Sequence, residues 1–152
     1  MSEVMASLHK KGGGGGNLKD IYRELVFNGG FSTTYSLTVN PAGRCTVNEA
    51  QISIDTSNHR GYLYADFVCS ANMGTDDYYS TLIASMPKAY TPKCKTTDVL
   101  DMPLTTDDGS TVSSKSWFLL NSYSTTSAYV CVTKGQGWSA SDHYIVYGSW
   151  QY

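Results

Sequence analysis

Two periodicities divide the chain. Between Asn17 and Phe27 the apolar positions Leu18, Ile21, Tyr22 and Leu25 recur at i, i+3, i+4 and i+7, the spacing of one helix face. Asn17 is a good N-cap, Asp20 sits near the positive end of the helix dipole, and Asn28-Gly29-Gly30 supplies the stop. About eleven residues is marginal for an isolated helix in water, so the apolar stripe needs a partner. That partner is either the following domain or copies of the same helix in an oligomer.

From Phe31 onward the period is two. Phe31, Tyr35, Leu37 and Val39 share one parity, and Asn40-Pro41-Ala42-Gly43 is a turn. Arg44–Asp55 carries Cys45 and Val47 and then Ile52 and Ile54; the parity changes near Asn48-Glu49-Ala50, which predicts a bulge or a break. Thr56–Gly61 reads as a polar loop. Over Tyr62–Ala71 the residues Leu63, Ala65, Phe67 and Cys69 oppose Tyr62, Tyr64, Asp66 and Val68. Further strands are expected over Tyr78–Ser85, Lys93–Leu104 (interrupted at Pro103), Val112–Leu120, Thr126–Thr133 and His143–Tyr152. Asp108-Gly109, within Thr105–Ser110, marks a hairpin. Between two of these strands, Pro87 and Pro92 cannot donate to a ladder, so the segment they bound must leave the sheet. Tyr90 lies between them, placed to fold back over a sheet edge.

Eight or nine short strands with regular turn signals predict an all-β, antiparallel sandwich of jelly-roll type, preceded by one short helix. Three segments follow: a flexible Gly-rich tether over 1–16, the amphipathic helix over 17–28, and the β head over 29–152. The tether includes five successive glycines, Gly12–Gly16, which cannot hold one conformation cheaply.

Composition narrows the function classes. The chain has 152 residues, 16% charged, with a formal net charge of −2, well under the usual charged quarter. No basic stripe exists, which sets nucleic acid aside as a partner. No apolar run reaches membrane-spanning length, and Met1–Gly16 lacks the apolar core of a secretory signal. Folding in a cytoplasm is therefore expected. Cys45, Cys69, Cys94 and Cys131 lie far apart in the sequence, so no metal-knuckle spacing is present; buried thiols are expected rather than disulfides. His9, His59 and His143 share no ligand spacing, and no Gly-x-Ser-x-Gly elbow exists. Asp76-Asp77 and Asp107-Asp108 read as solvated turn residues. No cofactor, no metal and no catalytic residue is expected.

Two loops carry binding chemistry. In Trp138-Ser139-Ala140-Ser141-Asp142-His143-Tyr144, Trp138 offers a flat apolar face for a sugar ring, and Asp142, His143 and Tyr144 offer directional donors and acceptors. The alternative is a tryptophan folded over the sheet rim beside a solvated Asp-His pair. In Ser57-Asn58-His59-Arg60-Gly61-Tyr62, Arg60 could take an anion bidentately and Tyr62 could stack; the alternative is an ordinary polar turn. Trp117 and Trp150 lie in strands, as core or inter-subunit contacts.

The stretch Met86-Pro87-Lys88-Ala89-Tyr90-Thr91-Pro92 resembles the proline-tyrosine-proline turn, of the form L-P-x-G-Y-x-P, found in the C-terminal head domains of bacteriophage tail fibres and related receptor-binding proteins. Ala89 replaces the usual glycine. A strand, the Asp108-Gly109 hairpin and a last aromatic strand through Tyr147-Gly148-Ser149-Trp150-Gln151-Tyr152 follow in the same order. The resemblance covers about the last two thirds of the chain. It implies a homotrimeric head in a virion, assembled in the bacterial cytoplasm, attached to other virion proteins through the N-terminal segment and binding host cell-surface saccharide. Tail fibre, baseplate and capsid appendage all fit it. A non-catalytic structural virion protein without receptor binding is the alternative.

Overall fold

The computed structural model describes residues 17–39, 45–72, 80–92, 99–101, 104–106, 117–119, 128–131 and 139–152. Within them the chain is mostly antiparallel β-sheet with one short helix. The elements are α1 (Leu18–Asn28), β1 (Thr33–Ser36), β2 (Thr38–Val39), β3 (Cys45–Asp55), β4 (Arg60–Cys69), β5 (Ser80–Ala84), a single 3₁₀ turn (Lys88–Tyr90), β6 (Val99–Asp101), β7 (Leu104–Thr106), β8 (Trp117–Leu119), β9 (Ala128–Cys131) and β10 (His143–Gln151). The main sheet runs β1-β3-β4-β10-β7. A second runs β2-β5-β9, and β6 pairs with β8. Every pairing is antiparallel.

Alternation along β3, β4 and β10 gives the main sheet two buried faces. On the inner face Ile52, Ile54, Leu63, Ala65, Phe67, Tyr144, Val146 and Trp150 form one apolar cluster with Leu82 and Ala84 of β5 and with Met86. On the outer face Tyr62, Tyr64, Ile145 and Tyr147 form a second cluster with Leu25 and Val26 of α1. The alternation expected along β4 therefore matches the faces observed for Leu63, Ala65, Phe67 and Cys69 on one side and Tyr62 and Tyr64 on the other. The parity change in β3 is a bulge, where the register against β4 shifts between Val47 and Glu49.

The helix partner is the chain's own sheet. Asn17 caps α1, accepting from the Lys19 amide at 3.2 Å, and Gly29 ends it. The stripe is rotated from the expected one: Leu18 is 49% exposed, whereas Val26 is buried. Ser53, fully buried on β3, explains the rotation. Its hydroxyl donates to the Val26 carbonyl at 2.6 Å, and Gln51 Nε2 donates to the same oxygen at 3.1 Å. Helix C-terminal carbonyls lack intrahelical donors, so these two bonds fix the last turn against the sheet. The Tyr22 hydroxyl donates to Ser149 Oγ at 3.3 Å on β10. Arg23 grips Glu49 with both guanidinium and carboxylate edges, with Nη2 to Oε2 at 3.0 Å. Its guanidinium also lies 5.7 Å from the Phe27 ring centroid.

Several boundaries differ from the alternation. Arg60 and Gly61 belong to β4 rather than to the preceding loop, because Asp55 closes that loop two residues earlier, at His59. Its carboxylate accepts from the Ser57 and Asn58 amides, both at 3.1 Å, and from Asn58 Nδ2 at 2.8 Å. Thr105 and Thr106 lie in β7, paired with Ile145 and Tyr144. Strand β8 pairs with β6, and β9 pairs with β5. The glycine run, Asp76-Asp77, Asp107-Asp108-Gly109, Cys94, His9 and Trp138 lie outside the described residues.

Candidate functional site

The expected binding residues other than Trp138 lie toward opposite ends of one strand pair. His143 faces Val68 and Gln151 faces Arg60 across β4 and β10. Eight residues of strand separate the two ends, about 27 Å. Asp142, His143 and Tyr144 therefore cannot share a small ligand with Arg60 and Tyr62.

At the first end, alternation splits the patch. Asp142 and Tyr144 meet: the Tyr144 hydroxyl and the Ser139 amide each donate to Asp142 Oδ2 at 2.9 Å. Tyr144 is 4% exposed, with its ring against Phe67 in the inner cluster. His143 points to the opposite face, where Nε2 pairs with Asp66 Oδ1, which also accepts from Asn48 Nδ2 at 3.0 Å. The turn leading in is pinned by Ala140 N donating to Asn72 Oδ1 at 2.8 Å. These polar groups hold the turn together, and their hydrogen-bonding capacity is in part already used.

At the second end, Tyr62 is 1% exposed and stacked on Phe31, with centroids 5.6 Å apart and planes 20° apart. Its ring is not presented to a ligand. Burial pushes its hydroxyl pKa far up, with the nearby Arg60 charge a lesser, opposing influence. Among the described residues the hydroxyl oxygen is buried without a hydrogen-bond partner. Arg60 remains half-buried on the same face.

The structure assembles a different aromatic group on the other face of this end. Tyr35 of β1, Tyr90 of the proline-bounded turn, Tyr152 and His59 form a continuous row. Centroid separations are 6.2 Å for Tyr35–Tyr90, 5.1 Å for Tyr90–Tyr152 and 5.4 Å for His59–Tyr152. The last pair is stacked, at 14° between planes. The three tyrosines rest partly buried against the inner cluster, while His59 is exposed.

The row is held from beneath. The proline-bounded segment makes its 3₁₀ turn through Tyr90 N donating to Pro87 O at 3.0 Å. Trp150 Nε1 donates to the Tyr90 carbonyl at 2.7 Å, fixing the turn to β10. Trp150 lies over Gly61, where a Cβ would come within 2.2 Å of its Cε2. His59 adopts φ 55, in the left-handed region that few non-glycine residues enter. This closes the β3–β4 loop, and Tyr152 N donates to the His59 carbonyl at 3.1 Å. Burial raises the Tyr35 and Tyr152 pKa values, with Tyr90 as a further contributor to both.

Such a row offers flat apolar faces beside hydroxyls and an imidazole, the mixed character that suits a sugar ring. Sequence reading found Tyr90 as a packed aromatic but not its neighbours. Tyr35, His59, Tyr90 and Tyr152 lie on four separate segments. The available signal was parity, since Trp150 and Tyr152 share the inner face of β10's path. Among the described residues no group of three or more His, Cys, Asp or Glu could hold a metal, and no helix is long and apolar enough to cross a membrane. No protein-family model, curated protein or solved structure matches the chain.

Proposed function

We propose that this chain is a bacteriophage virion surface protein whose head binds host cell-surface saccharide. Its head would be a jelly-roll-like β-sandwich that works as a homotrimer, joined to other virion proteins through its N-terminal segment. The observation that carries the binding role is the row Tyr35–Tyr90–Tyr152–His59, held at a sheet end by a buried tryptophan and a proline-bounded turn. Aromatic stacking with a few fixed polar groups recognises a neutral, hydroxyl-rich ligand without needing charge. The low charged fraction agrees with such a ligand. The virion setting rests on the likeness of Met86–Pro92 to the turn of tail-fibre heads.

The test is a glycan array probed with the full chain after its oligomeric state has been measured by light scattering. The row predicts binding that falls at least tenfold in His59→Gly and in Tyr152→Ala, with the melting temperature of His59→Gly close to the parent. Glycine tolerates the left-handed backbone at position 59, so that variant removes the ring without straining the turn. Unchanged affinity in both variants refutes the row as the site.

A second reading is a structural virion protein without receptor affinity. It is favoured by the internal pairing of Asp142 with Tyr144 and of His143 with Asp66. A verified trimer that enters particles yet binds no glycan would support it.

A further inference from the structure

Cys45 in β3 and Cys69 in β4 are directly opposite in the ladder, and both are thiols. Both side chains join the inner apolar cluster, so they leave the sheet on the same face. The kind of pairing follows from the main chain. Cys69 N donates to the Asp142 carbonyl at 2.8 Å, and the Cys69 carbonyl accepts from Ser141 N at 2.8 Å. In an antiparallel ladder a residue directs both main-chain groups toward the same neighbour. Cys69 directs both toward the segment before β10, so it faces Cys45 in a non-hydrogen-bonded position. Opposed Cα atoms there lie about 4.5 Å apart, with side chains at their closest. A disulfide spans Cα separations of about 4.4–6.8 Å. The bulge between Val47 and Glu49 comes after this pair along β3 and leaves its register intact.

We propose that Cys45 and Cys69 are a disulfide-forming pair, closed across β3 and β4 when the chain folds in the presence of a low-molecular-weight disulfide such as oxidised glutathione. One cysteine thiolate attacks a glutathione sulfur, forming a mixed disulfide and releasing one glutathione thiolate. The second cysteine thiolate attacks the protein sulfur of that mixed disulfide and displaces the other glutathione. The two cysteines together lose two electrons and two protons, and one oxidised glutathione becomes two reduced molecules. Cys45 is 7% and Cys69 2% exposed in the folded chain, so exchange takes place before β3 and β4 close, or during their opening. Burial pushes the Cys45 thiol up to about 11, so the folded pair reacts slowly at neutral pH. The pairing runs against the expectation of isolated buried thiols, which cysteine spacing alone suggested.

The test uses the full chain. Reduced protein is unfolded, refolded in a mixture of reduced and oxidised glutathione, blocked with iodoacetamide, and cut with trypsin without reduction. Arg44, Arg60 and Lys88 bound the peptides 45–60 and 61–88, while Cys94 and Cys131 fall in other peptides. The expected product is peptide 45–60 linked to 61–88, two hydrogens lighter than the sum of the two and separated by reductant. The oxidised chain should also show a higher urea midpoint than the reduced chain. The proposal is overturned if Cys45 and Cys69 are recovered alkylated, capped with glutathione, or linked to Cys94 or Cys131. It is equally overturned if the 45–69 link forms but lowers the midpoint, since the bond would then strain the ladder.

Discussion

Gly61 and Trp150 make the most exacting test of how the aromatic row is supported. They face each other across β4 and β10, and the indole occupies the space a side chain at position 61 would need. A Cβ there would lie 2.2 Å from Cε2, 2.3 Å from Cζ2 and 2.6 Å from Nε1. The indole is buried at 4% exposure and cannot simply swing into solvent. Gly61→Ala must therefore displace it. Overpacking of this kind costs about 1–3 kcal/mol. If displacement also breaks the bond from Nε1 to the Tyr90 carbonyl, leaving a buried donor unsatisfied adds about 1–3 kcal/mol. The expected loss is about 1–3 kcal/mol with that bond kept and about 2–6 kcal/mol with it broken, a large share of the ~5–15 kcal/mol that holds a typical domain. Urea denaturation followed by far-UV circular dichroism would measure it. The same substitution in a Trp150→Leu background should cost under about 1 kcal/mol, because the shorter side chain vacates that space. Equal costs in the two backgrounds would show that the indole does not fill the space above position 61, as would a loss below about 0.5 kcal/mol in the parent.

Three further outcomes follow from the same geometry. Leu25→Ala should lose about 2–5 kcal/mol, whereas Leu18→Ala should change stability by less than about 0.5 kcal/mol, since Leu25 is buried and Leu18 is 49% exposed; comparable losses would mean that α1 packs on a different face. Tyr62→Phe should be neutral or stabilising in thermal melts, because it removes a buried hydroxyl without a partner; a loss above about 1 kcal/mol would show that the hydroxyl has one. Burial pushes the Asp55 carboxyl up, hydrogen bonds from the Asn58 side chain and amide lead the influences that lower it, and the net pKa falls below the usual 3.8. A depressed folded-state pKa stabilises the fold above pH 3.8, and that contribution is lost as pH falls through the lower folded value. Asp55→Asn should therefore flatten the acid limb of a stability–pH curve; an unchanged limb would show that Asp55 contributes nothing to it.

The resemblance to tail-fibre heads remains a proposal, and the row of four rings gives it a testable surface. That row could not be read along the chain. Tyr35, His59, Tyr90 and Tyr152 belong to β1, the β3–β4 loop, the proline-bounded turn and the end of the β10 path. The register of β1, β3, β4 and β10 and the bond from Trp150 to the Tyr90 carbonyl bring them together. Asp142, His143 and Tyr144 divide between two faces for a local reason: neighbouring residues in a strand point to opposite faces. Tyr144 thus turns into the core and His143 toward Asp66.

By itself the sequence determined what depends on neighbours along the chain. It gave α1 its caps and length, β4 and β10 their facing, β3 its bulge and Pro87–Pro92 its exit from the sheet, because dihedral preferences and side-chain alternation act over a few residues. Tertiary structure decided which face of α1 is buried, through Ser53 and Gln51 reaching the Val26 carbonyl. It also decided that Tyr62 is core, that β8 joins β6, and that Cys45 meets Cys69. Each depends on contacts between residues tens of positions apart, whose partners are chosen by burial and hydrogen-bond satisfaction in three dimensions rather than by any local pattern.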